Sequence, residues 1–283
     1  MKNYQLIYIG PFGYSGSTLV DMYLSKYENI FSIGEAISYS TWKAENRLCT
    51  CRELIHECDF WSKINHTPSE NSSAFSRAAN NNLPNITGAD GLRAYGEDQW
   101  VLLDKIASVC DANYIVDSSK SLWRLKALAL TRPSKIIACH LIRHPYDVMT
   151  SAQIRKLKPS IPADKNVAYT KSYPKWRTAL KWVLQNHAFQ KFCASHEITY
   201  LKISYEVFVE KPIEVIRKMG IDGGTLKGEG NTIIPAENHN ISGSRWRLLQ
   251  DRVSIRSDLK STKMSRHSIA FKLSDYIYEH ASK

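Results

Sequence analysis

The stretch from Tyr4 to Leu19, YQLIYIGPFGYSGSTL, restricts the fold of this chain more than any other. It opens with an apolar and aromatic run without charge, which is the pattern of a strand buried on both faces of a parallel sheet. Three glycines and a proline then fall close together, and an apolar helical pattern begins at Leu19. The stretch therefore predicts a strand, a glycine-rich loop and the N-terminus of a helix.

The loop has the composition of a phosphate-binding site. Glycines allow backbone N–H groups to turn inward, and the helix N-terminus adds partial positive charge. Hydroxyl groups that can donate to phosphate oxygens come from Ser15, Ser17 and Thr18, beside Gly13 and Gly16. A tight connection between a strand and a helix would also use glycines, and that interpretation stays open. The run of hydroxyls favours phosphate.

The loop differs from that of a nucleoside triphosphatase. In that motif, G-x-x-x-x-G-K-[ST], a lysine follows the second glycine, whereas Ser17 follows Gly16 here. The run Y-S-G-S-T-L instead resembles the loop with which sulfotransferases hold 3′-phosphoadenosine 5′-phosphosulfate (PAPS). The resemblance implies that Gly13, Tyr14 and Ser15 bind this donor together with Gly16, Ser17 and Thr18. That family usually has Arg or Lys where this chain has Tyr14, so we expect another cation to face the phosphosulfate.

A second motif follows the apolar run from Lys135 to Ile142. Arg143 comes at its end, and Ser151 lies on the helix predicted after it. A guanidinium gives a phosphate a forked, charged set of hydrogen bonds. The run LIRHPYDVMTS closely resembles the second sulfotransferase motif, which implies that Arg143 and Ser151 hold the 3′-phosphate of PAPS. Two such motifs in this order are more specific than either alone.

Three further segments extend the resemblance. IVDSSK resembles the strand end at which related enzymes place a lysine near the sulfuryl group, which implies that role for Lys120. ISYEVFVEKP resembles the segment that places a tyrosine near the nucleotide, which implies Tyr205. HNISGSRWR is similar to a C-terminal loop that closes over the cofactor. It implies Ser244 at the phosphosulfate, with Arg245 and Arg247 as cofactor-binding residues.

Transfer to a hydroxyl needs a group that accepts the hydroxyl proton. Glu35 follows Gly34 after a short apolar step, and its position resembles the glutamate base of several sulfotransferases. We therefore predict Glu35 as the general base. Two alternatives stay open, a residue in the first turn of a helix and an ion-pair partner of a loop cation. His239 is the favoured reserve, ahead of His56 and His144.

The run CTCRELIHECDFW invites a zinc interpretation, with Cys49, Cys51, Cys58 and His56 as ligands. Its C-x-C pair lacks the usual spacing of two to four residues, and there is no second pair. We therefore expect no metal. The run resembles a Cys-x-Cys, Cys-x-x-Trp signature of some bacterial sulfotransferases, which implies a structural flap beside the active site.

Strands that alternate with helices predict a parallel sheet. We expect one domain over residues 1–283, an α/β parallel-sheet fold of the P-loop-like sulfotransferase type with helices on both faces. It has an irregular insertion near 65–96 and a basic loop near 156–175. The apolar stripe through Trp176, Leu180, Val183, Leu184, Ala188 and Phe192 predicts core packing. His140, inside an apolar strand, predicts a core histidine with satisfied hydrogen bonds.

The charge balance favours an anionic ligand. Lys and Arg number 38 against 27 Asp and Glu, a formal net charge of +11, and scattered basic residues suit an anionic cofactor or an acidic substrate. Nucleic acid is not expected, because no recognised binding motif or dense basic helix is present. No apolar run is long enough to span a membrane and no leader is apparent, so a soluble, cytoplasmic protein is expected.

The motifs together imply an enzyme that moves a sulfuryl group from PAPS to an acceptor hydroxyl, on a carbohydrate or glycolipid, and needs no metal. Its nucleotide product is adenosine 3′,5′-bisphosphate. Two other function classes stay open. A small-molecule kinase using ATP is disfavoured by the missing loop lysine, and a nucleotide-binding protein without catalytic activity is favoured by Tyr14.

Overall fold

A computed structural model describes residues 3–70, 72–74, 88–154, 174–228, 230–255 and 278–279 of the chain. Its centre is a five-stranded sheet in the order β2-β3-β1-β4-β5, in which every neighbouring pair is parallel. The strands are β1 Gln5–Gly10, β2 Ile30–Gly34, β3 Tyr114–Asp117, β4 Ile136–Ile142 and β5 Thr199–Ser204.

Strand β1 lies at the centre of the sheet, where its partners are β3 on one side and β4 on the other. Leu6, for example, stands opposite Ile115 of β3 and Ile136 of β4. The chain leaves β1 for the edge strand β2, and after β3 it crosses to the other side of β1 to form β4. The carboxyl end of β1 is therefore a topological switch point, the usual place for a ligand in an open α/β sheet.

Helices cover both faces of the sheet. They are α1 Ser17–Leu24, α2 Tyr39–Ala44, α3 Ala89–Val109, α4 Leu122–Ala129, α5 Pro145–Ile154, α6 Lys175–Ala194, α7 Tyr205–Glu210, α8 Pro212–Lys218 and α9 Trp246–Leu249. Alternate residues of β1 face opposite sides. Leu6 and Tyr8 pack in one buried cluster with α3, α4 and α6, whereas Ile7 and Ile9 pack in another with α1, α7 and α8. The predicted fold class is confirmed.

The predicted irregular insertion near 65–96 is wrong at its C-terminal end. Helix α3 begins at Ala89. Tyr95 lies on the same buried face of this helix as Trp100, Leu103 and Ile106, so the helix includes the last residues of the predicted insertion. Residues 71 and 75–87 of the insertion lie outside the described residues. So does the predicted basic loop near 156–175, apart from its last two residues, where α6 begins.

The core prediction for α6 is confirmed at Phe192, which is buried, but it is wrong for most of the stripe. Trp176, Leu180 and Leu184 are 66%, 52% and 58% exposed, so they do not pack in the core. The buried face carries Trp182, Asn186, Phe189 and Phe192. Sequence periodicity missed it because Asn186 is polar. Its Oδ1 lies 2.7 Å from Nε2 of the buried His140, while the Tyr200 hydroxyl lies 2.6 Å from Nδ1. The prediction of a satisfied core histidine is therefore confirmed.

A segment from the C-terminal part of the chain returns to the edge of the sheet. We call residues 239–247 the return segment. Ile241 forms a parallel bridge with Gly34 at the end of β2. Near this segment a small antiparallel sheet pairs β6 Thr232–Ile233 with β7 Val253–Ser254. No helix in the described ranges combines the length and apolar character that crossing a membrane requires.

Candidate active site

The glycine loop, residues 10–18, joins β1 to α1. Gly16 precedes the helix with a φ of 90°, a left-handed conformation that glycine adopts without strain. The Ser15 hydroxyl donates to the Phe12 carbonyl at 2.8 Å, which closes the loop on itself. Ser17 and Thr18 are buried in the first turn of α1, where backbone N–H groups have no intrahelical acceptor. The loop thus presents donors at the switch point of the sheet.

Arg143, which follows β4, and Tyr205, the first residue of α7, contact the glycine loop. The Arg143 Nη1 donates to the Tyr14 carbonyl at 3.2 Å, and its guanidinium lies 4.4 Å from the centre of the Tyr205 ring. That ring packs so closely that a Cβ added to Gly16 would lie 2.1 Å from it. Positive charge therefore reaches the loop at Tyr14, the position where the sequence lacks a cation.

One polar atom of Arg143 has no protein partner in the described part of the chain. Its Nε is buried without a hydrogen bond, although the residue lies beside the loop through Nη1. A buried donor of this kind normally has a partner, because leaving it unpaired costs free energy. Ser151, the other predicted 3′-phosphate residue, lies half-buried on α5, and no described contact joins it to Arg143.

Glu35 and Lys120 meet at the carboxyl ends of β2 and β3. The Lys120 Nζ donates to Glu35 Oε1 in an ion pair, and the Ser242 hydroxyl of the return segment donates to Oε2 at 3.2 Å. Both side chains keep some exposure, 14% for Lys120 and 21% for Glu35. The structure thus brings the two predicted catalytic groups together, in the ion pair that the sequence left open for Glu35. A role as base stays a prediction.

A buried ion pair fixes the turn that carries Lys120. Arg124 Nε donates to Asp117 Oδ2 at 2.7 Å, and both side chains are fully buried. The other oxygen of Asp117 accepts the backbone N–H of Ser119 at 2.9 Å. Lys120 follows with a φ of 61°, so its backbone is held in a conformation that non-glycine residues seldom adopt. Sequence analysis did not identify Asp117 or Arg124 as supports of the site.

Asp21 forms a second buried network beneath the loop. Its carboxylate accepts hydrogen bonds from the hydroxyls of Ser32 and Ser118, and from the Asn240 amide at 3.0 Å. Burial raises the pKa of Asp21 to about 7, although the hydrogen bonds from Ser118 and Ser32 oppose that shift. The network joins α1, β2, the end of β3 and the return segment. Sequence analysis missed it, since its members come from four separate segments.

The return segment also contacts the glycine loop. The Ser244 N–H donates to the Thr18 hydroxyl at 3.2 Å. A Cβ added to Gly243 would lie 3.2 Å from the same oxygen and 3.9 Å from Arg247 Cδ. Buried Arg247 donates to the Thr50 hydroxyl at 3.0 Å, and Arg245 is half-buried at the start of α9. Predicted Ser244 and Arg247 therefore lie close to the loop, and ligand contacts for Arg245 and Arg247 stay predictions.

His239, the reserve candidate for the base, lies beside Cys58. Its Nδ1 is 3.2 Å from the Cys58 sulfur, and its ring stacks with Phe60 at 5.5 Å and Phe31 at 6.4 Å. The described partners of the Glu35 carboxylate are Lys120 and Ser242. The His239 ring therefore faces the cysteines, and a role as reserve base stays a prediction.

The cysteine loop, residues 48–58, brings three sulfur atoms to His239. The ligand atoms of Cys49, Cys51, Cys58 and His239 all lie within 4.8 Å of one another. Hydrogen bonds from Cys49 and Cys51, together with one to His239, lower the pKa of the Cys58 thiol. Burial lowers the pKa of His239, but hydrogen bonds to Cys51 and Cys58 outweigh burial and raise it to about 9. His56, the fourth ligand in the zinc interpretation of the sequence, is exposed instead.

The folded chain is similar to solved sulfotransferase domains. It matches the sulfotransferase domain from the curacin biosynthetic pathway with a TM-score of 0.53 and 17% identity, over 99% of this chain and 98% of that one. It matches the sulfotransferase domain of the Synechococcus PCC 7002 olefin synthase with a TM-score of 0.52 and 18% identity, over 100% and 96%. No protein-family model matches, and no curated protein is significantly similar. The chain has the P-loop-like sulfotransferase fold that its motifs implied.

Proposed function

We propose that this protein is a PAPS-dependent sulfotransferase that modifies an acceptor hydroxyl, on a carbohydrate or a glycolipid. The observation that carries the proposal is the contact of Arg143 with the Tyr14 carbonyl. It joins the two motifs that resemble PAPS-binding sequences at one edge of a sulfotransferase fold. An arginine in this place can neutralise a phosphate beside a loop of N–H donors.

The donor would lie along the carboxyl edge of the sheet. The amides of the glycine loop and the hydroxyls of Ser17 and Thr18 bind the 5′-phosphosulfate. The buried Nε of Arg143, which has no partner among the described residues, suits an oxygen of the 3′-phosphate. Ser151 adds a hydroxyl there from α5, and the ring of Tyr205 lies between the guanidinium and Gly16, beside the nucleotide.

The chemistry is an in-line transfer of the sulfuryl group. A bond forms between the acceptor oxygen and sulfur, the bond from sulfur to the 5′-phosphate oxygen breaks, and the bisphosphate leaves with the electron pair. Charge grows on the leaving phosphate in the transition state, so fixed donors directed at it lower the barrier. The loop amides, Lys120 and Ser244 supply such donors. The acceptor proton goes to Glu35.

The ion pair between Glu35 and Lys120 is compatible with Glu35 as the general base and with Lys120 as a donor to the leaving phosphate. A carboxylate side chain can accept the proton of an acceptor hydroxyl, and the Lys120 Nζ already donates to an oxygen anion in this pair. When PAPS binds, its phosphosulfate competes with the Glu35 carboxylate for the Lys120 Nζ. Glu35 then keeps its hydrogen bond from Ser242, which orients the carboxylate toward the acceptor.

Ligand binding tests the donor assignment and separates the alternatives. Adenosine 3′,5′-bisphosphate should raise the melting temperature, whereas ATP with Mg²⁺ should not. Arg143→Ala should weaken the bisphosphate by about 2 kcal/mol, roughly 30-fold in Kd. It should change binding of adenosine 5′-phosphosulfate little, since that ligand lacks the 3′-phosphate. Equal losses for both ligands would remove Arg143 from this role, and a stronger response to ATP with Mg²⁺ would favour a kinase.

Catalysis requires its own assay. Labelled PAPS should give labelled product with a member of a panel of glycans, glycolipids and hydroxylated small molecules. The small molecules are included because the two similar domains come from a biosynthetic pathway and an olefin synthase. Normal bisphosphate binding without transfer to any acceptor, and without slow hydrolysis of PAPS, would favour a nucleotide-binding protein that lacks catalytic activity.

A further inference from the structure

Three cysteines and one histidine converge at a place that the proposed transfer reaction does not use. Cys49, Cys51 and Cys58 come from the cysteine loop, and His239 comes from the return segment. Cys49 and Cys58 are buried, while Cys51 and His239 are half-buried. We propose that these four residues bind one structural zinc ion, which clamps the return segment to the cysteine loop.

The distances suit tetrahedral coordination. With Zn–S bonds of about 2.3 Å, two thiolates on one zinc ion lie about 3.8 Å apart. The sulfur atoms of Cys51 and Cys58 are 3.6 Å apart, and Cys58 lies 3.2 Å from His239 Nδ1. All four ligand atoms fall within 4.8 Å of one another, so a single ion reaches them with small rotations of the side chains. Three cysteines and one histidine are a common structural zinc set.

The fold overcomes the unusual spacing in the sequence. The C-x-C pair lies at a turn in which the Arg52 N–H donates to the Cys49 carbonyl at 3.0 Å and Arg52 has a φ of 76°. A bridge between Leu48 and Leu54 closes the loop, which brings Cys58 back to the pair. The fourth ligand comes from a position 181 residues away, so no local pattern in the sequence could include it.

The surroundings hold the ligands in place. The ring of His239 stacks with Phe60 and Phe31, and its backbone carbonyl accepts the Trp61 indole N–H at 2.6 Å. The next residue, Asn240, accepts from both the N–H and the hydroxyl of Thr50. Contacts that orient ligands from outside the first shell strengthen a metal site. Buried cysteines that merely pack as small apolar side chains would not need a histidine nitrogen at hydrogen-bonding distance.

A disulfide between Cys51 and Cys58 is the main competing outcome for the same atoms. It would use two of the three sulfurs and leave Cys49 and His239 without a shared function. A zinc ion uses all four groups and links the two chain segments directly. The zinc proposal predicts three thiolates that are protected together, whereas a disulfide predicts one thiol and a covalent loop.

Metal content tests the proposal on the full-length protein. After purification under reducing conditions, removal of metal and titration with Zn²⁺, the wild-type chain should bind about one zinc ion with a Kd below about 10⁻⁷ M. Cys58→Ser and His239→Ala should lose most of this zinc. His239→Cys should retain it, because four cysteines also form a structural zinc site. Cys110→Ser, a buried cysteine outside the cluster, is the matched control and should bind zinc as the wild type does.

Two further measurements on the wild-type chain avoid reliance on variants that fail to fold. Co²⁺ in place of zinc should give the visible bands of a tetrahedral site and a thiolate charge-transfer band. Removing zinc should speed amide hydrogen exchange in residues 239–247 more than in the glycine loop. Fewer than about 0.2 zinc ions per chain after reconstitution, or a Cys51–Cys58 disulfide in non-reduced protein by mass spectrometry, would overturn the proposal.

Discussion

The glycine loop and the return segment both reach the carboxyl edge of the sheet, but they are held there in different ways. The glycine loop is continuous with β1 and α1, and its main remote contacts come from Arg143, which follows β4, and from Tyr205 at the start of α7. The return segment has no such strand of its own. Partners such as Asp21 and Thr50, about 200 residues earlier in the chain, hold it instead.

This difference separates two sources of stability at one site. The glycine loop depends on backbone conformation, since φ at Gly16 is 90° and the Tyr205 ring leaves no room for a side chain. The return segment depends on hydrogen bonds between buried polar groups, above all those that the Asn240 side-chain N–H groups donate to Asp21 and Ser32. Damage to the loop should therefore appear as strain and lost phosphate binding. Damage to the return segment should appear as lost local order and a displaced Glu35.

The largest expected effect is at Glu35, which the return segment contacts through Ser242. Glu35→Gln keeps the size of the side chain but cannot accept the acceptor proton. The kcat of sulfuryl transfer should fall roughly 10²-fold or more, while binding of the bisphosphate stays near that of the wild type. Steady-state kinetics with a verified acceptor measure the change, and Glu210→Gln on the surface of α7 is the control. Wild-type turnover by Glu35→Gln would exclude Glu35 as the base.

Gly16→Ala should damage the glycine loop through its backbone. The new Cβ would meet the Tyr205 ring at 2.1 Å in a left-handed conformation, so we expect a loss of about 2 kcal/mol or more in the free energy of unfolding. Urea denaturation measures it. Gly13→Ala is the matched control, since nothing lies within 4 Å of its added Cβ. If the two variants are equally stable, the close packing of Tyr205 on this loop is incorrect.

Asp21 gives the contact between the two regions a dependence on pH. Burial raises its pKa from 3.8 to about 7, so between about pH 4 and pH 7 the folded protein keeps a proton that the unfolded chain releases. The free energy of unfolding therefore falls as pH rises through this window. Relative to Asp21→Asn, the wild type should lose about 2 kcal/mol between pH 5 and pH 7.

Urea denaturation at a series of pH values measures this difference. Asp21→Asn removes the titrating group. The hydrogen bonds that this variant loses lower its stability by the same amount at every pH, so they do not change the shape of its curve. The exposed Asp59→Asn is the control and should follow the wild-type curve. Parallel curves for the wild type and Asp21→Asn would show that Asp21 does not titrate in this window.

Thr50→Val should give the smallest effect and reports on the return segment alone. Valine has nearly the same shape but loses the hydroxyl that donates to the Asn240 carbonyl at 2.7 Å and accepts from Arg247 at 3.0 Å. We expect a loss of about 1 kcal/mol in the free energy of unfolding. Hydrogen exchange should rise in residues 239–247 and stay unchanged in the glycine loop. An increase of equal size in both regions would contradict the inference that different contacts hold the return segment and the glycine loop in place.

The sequence predicted the parts of this molecule that are local. The strand, glycine loop and helix around Gly16 follow from a continuous pattern, and Arg143 follows from the end of an apolar strand. Parallel strands place such ends at one edge of a sheet, so the neighbourhood of Glu35 and Lys120 was also predictable. Whether these residues act as the resemblance implies stays a prediction.

The remaining features depend on contacts that no local pattern contains. Asn240 joins Asp21 only after the sheet and the return segment have formed, and the same holds for His239 and the cysteines. The face of α6 was missed because Asn186 breaks its apolar periodicity while it binds a buried histidine. Periodicity records which side chains are apolar, and it cannot show which polar side chains find partners inside the protein.

The pairing of Ile241 with Gly34 has a consequence for synthesis of the protein on the ribosome. All five strands of the sheet have been translated by Ser204, yet the segment that contacts Glu35 ends at Arg247, about 40 residues later. At about 5–20 residues per second, this interval lasts roughly 2–8 s. During it, a nascent chain can bury its sheet while the edge beside β2 and the sulfurs of the cysteine loop stay uncovered. A chaperone or an oxidant therefore has a defined interval in which to reach them.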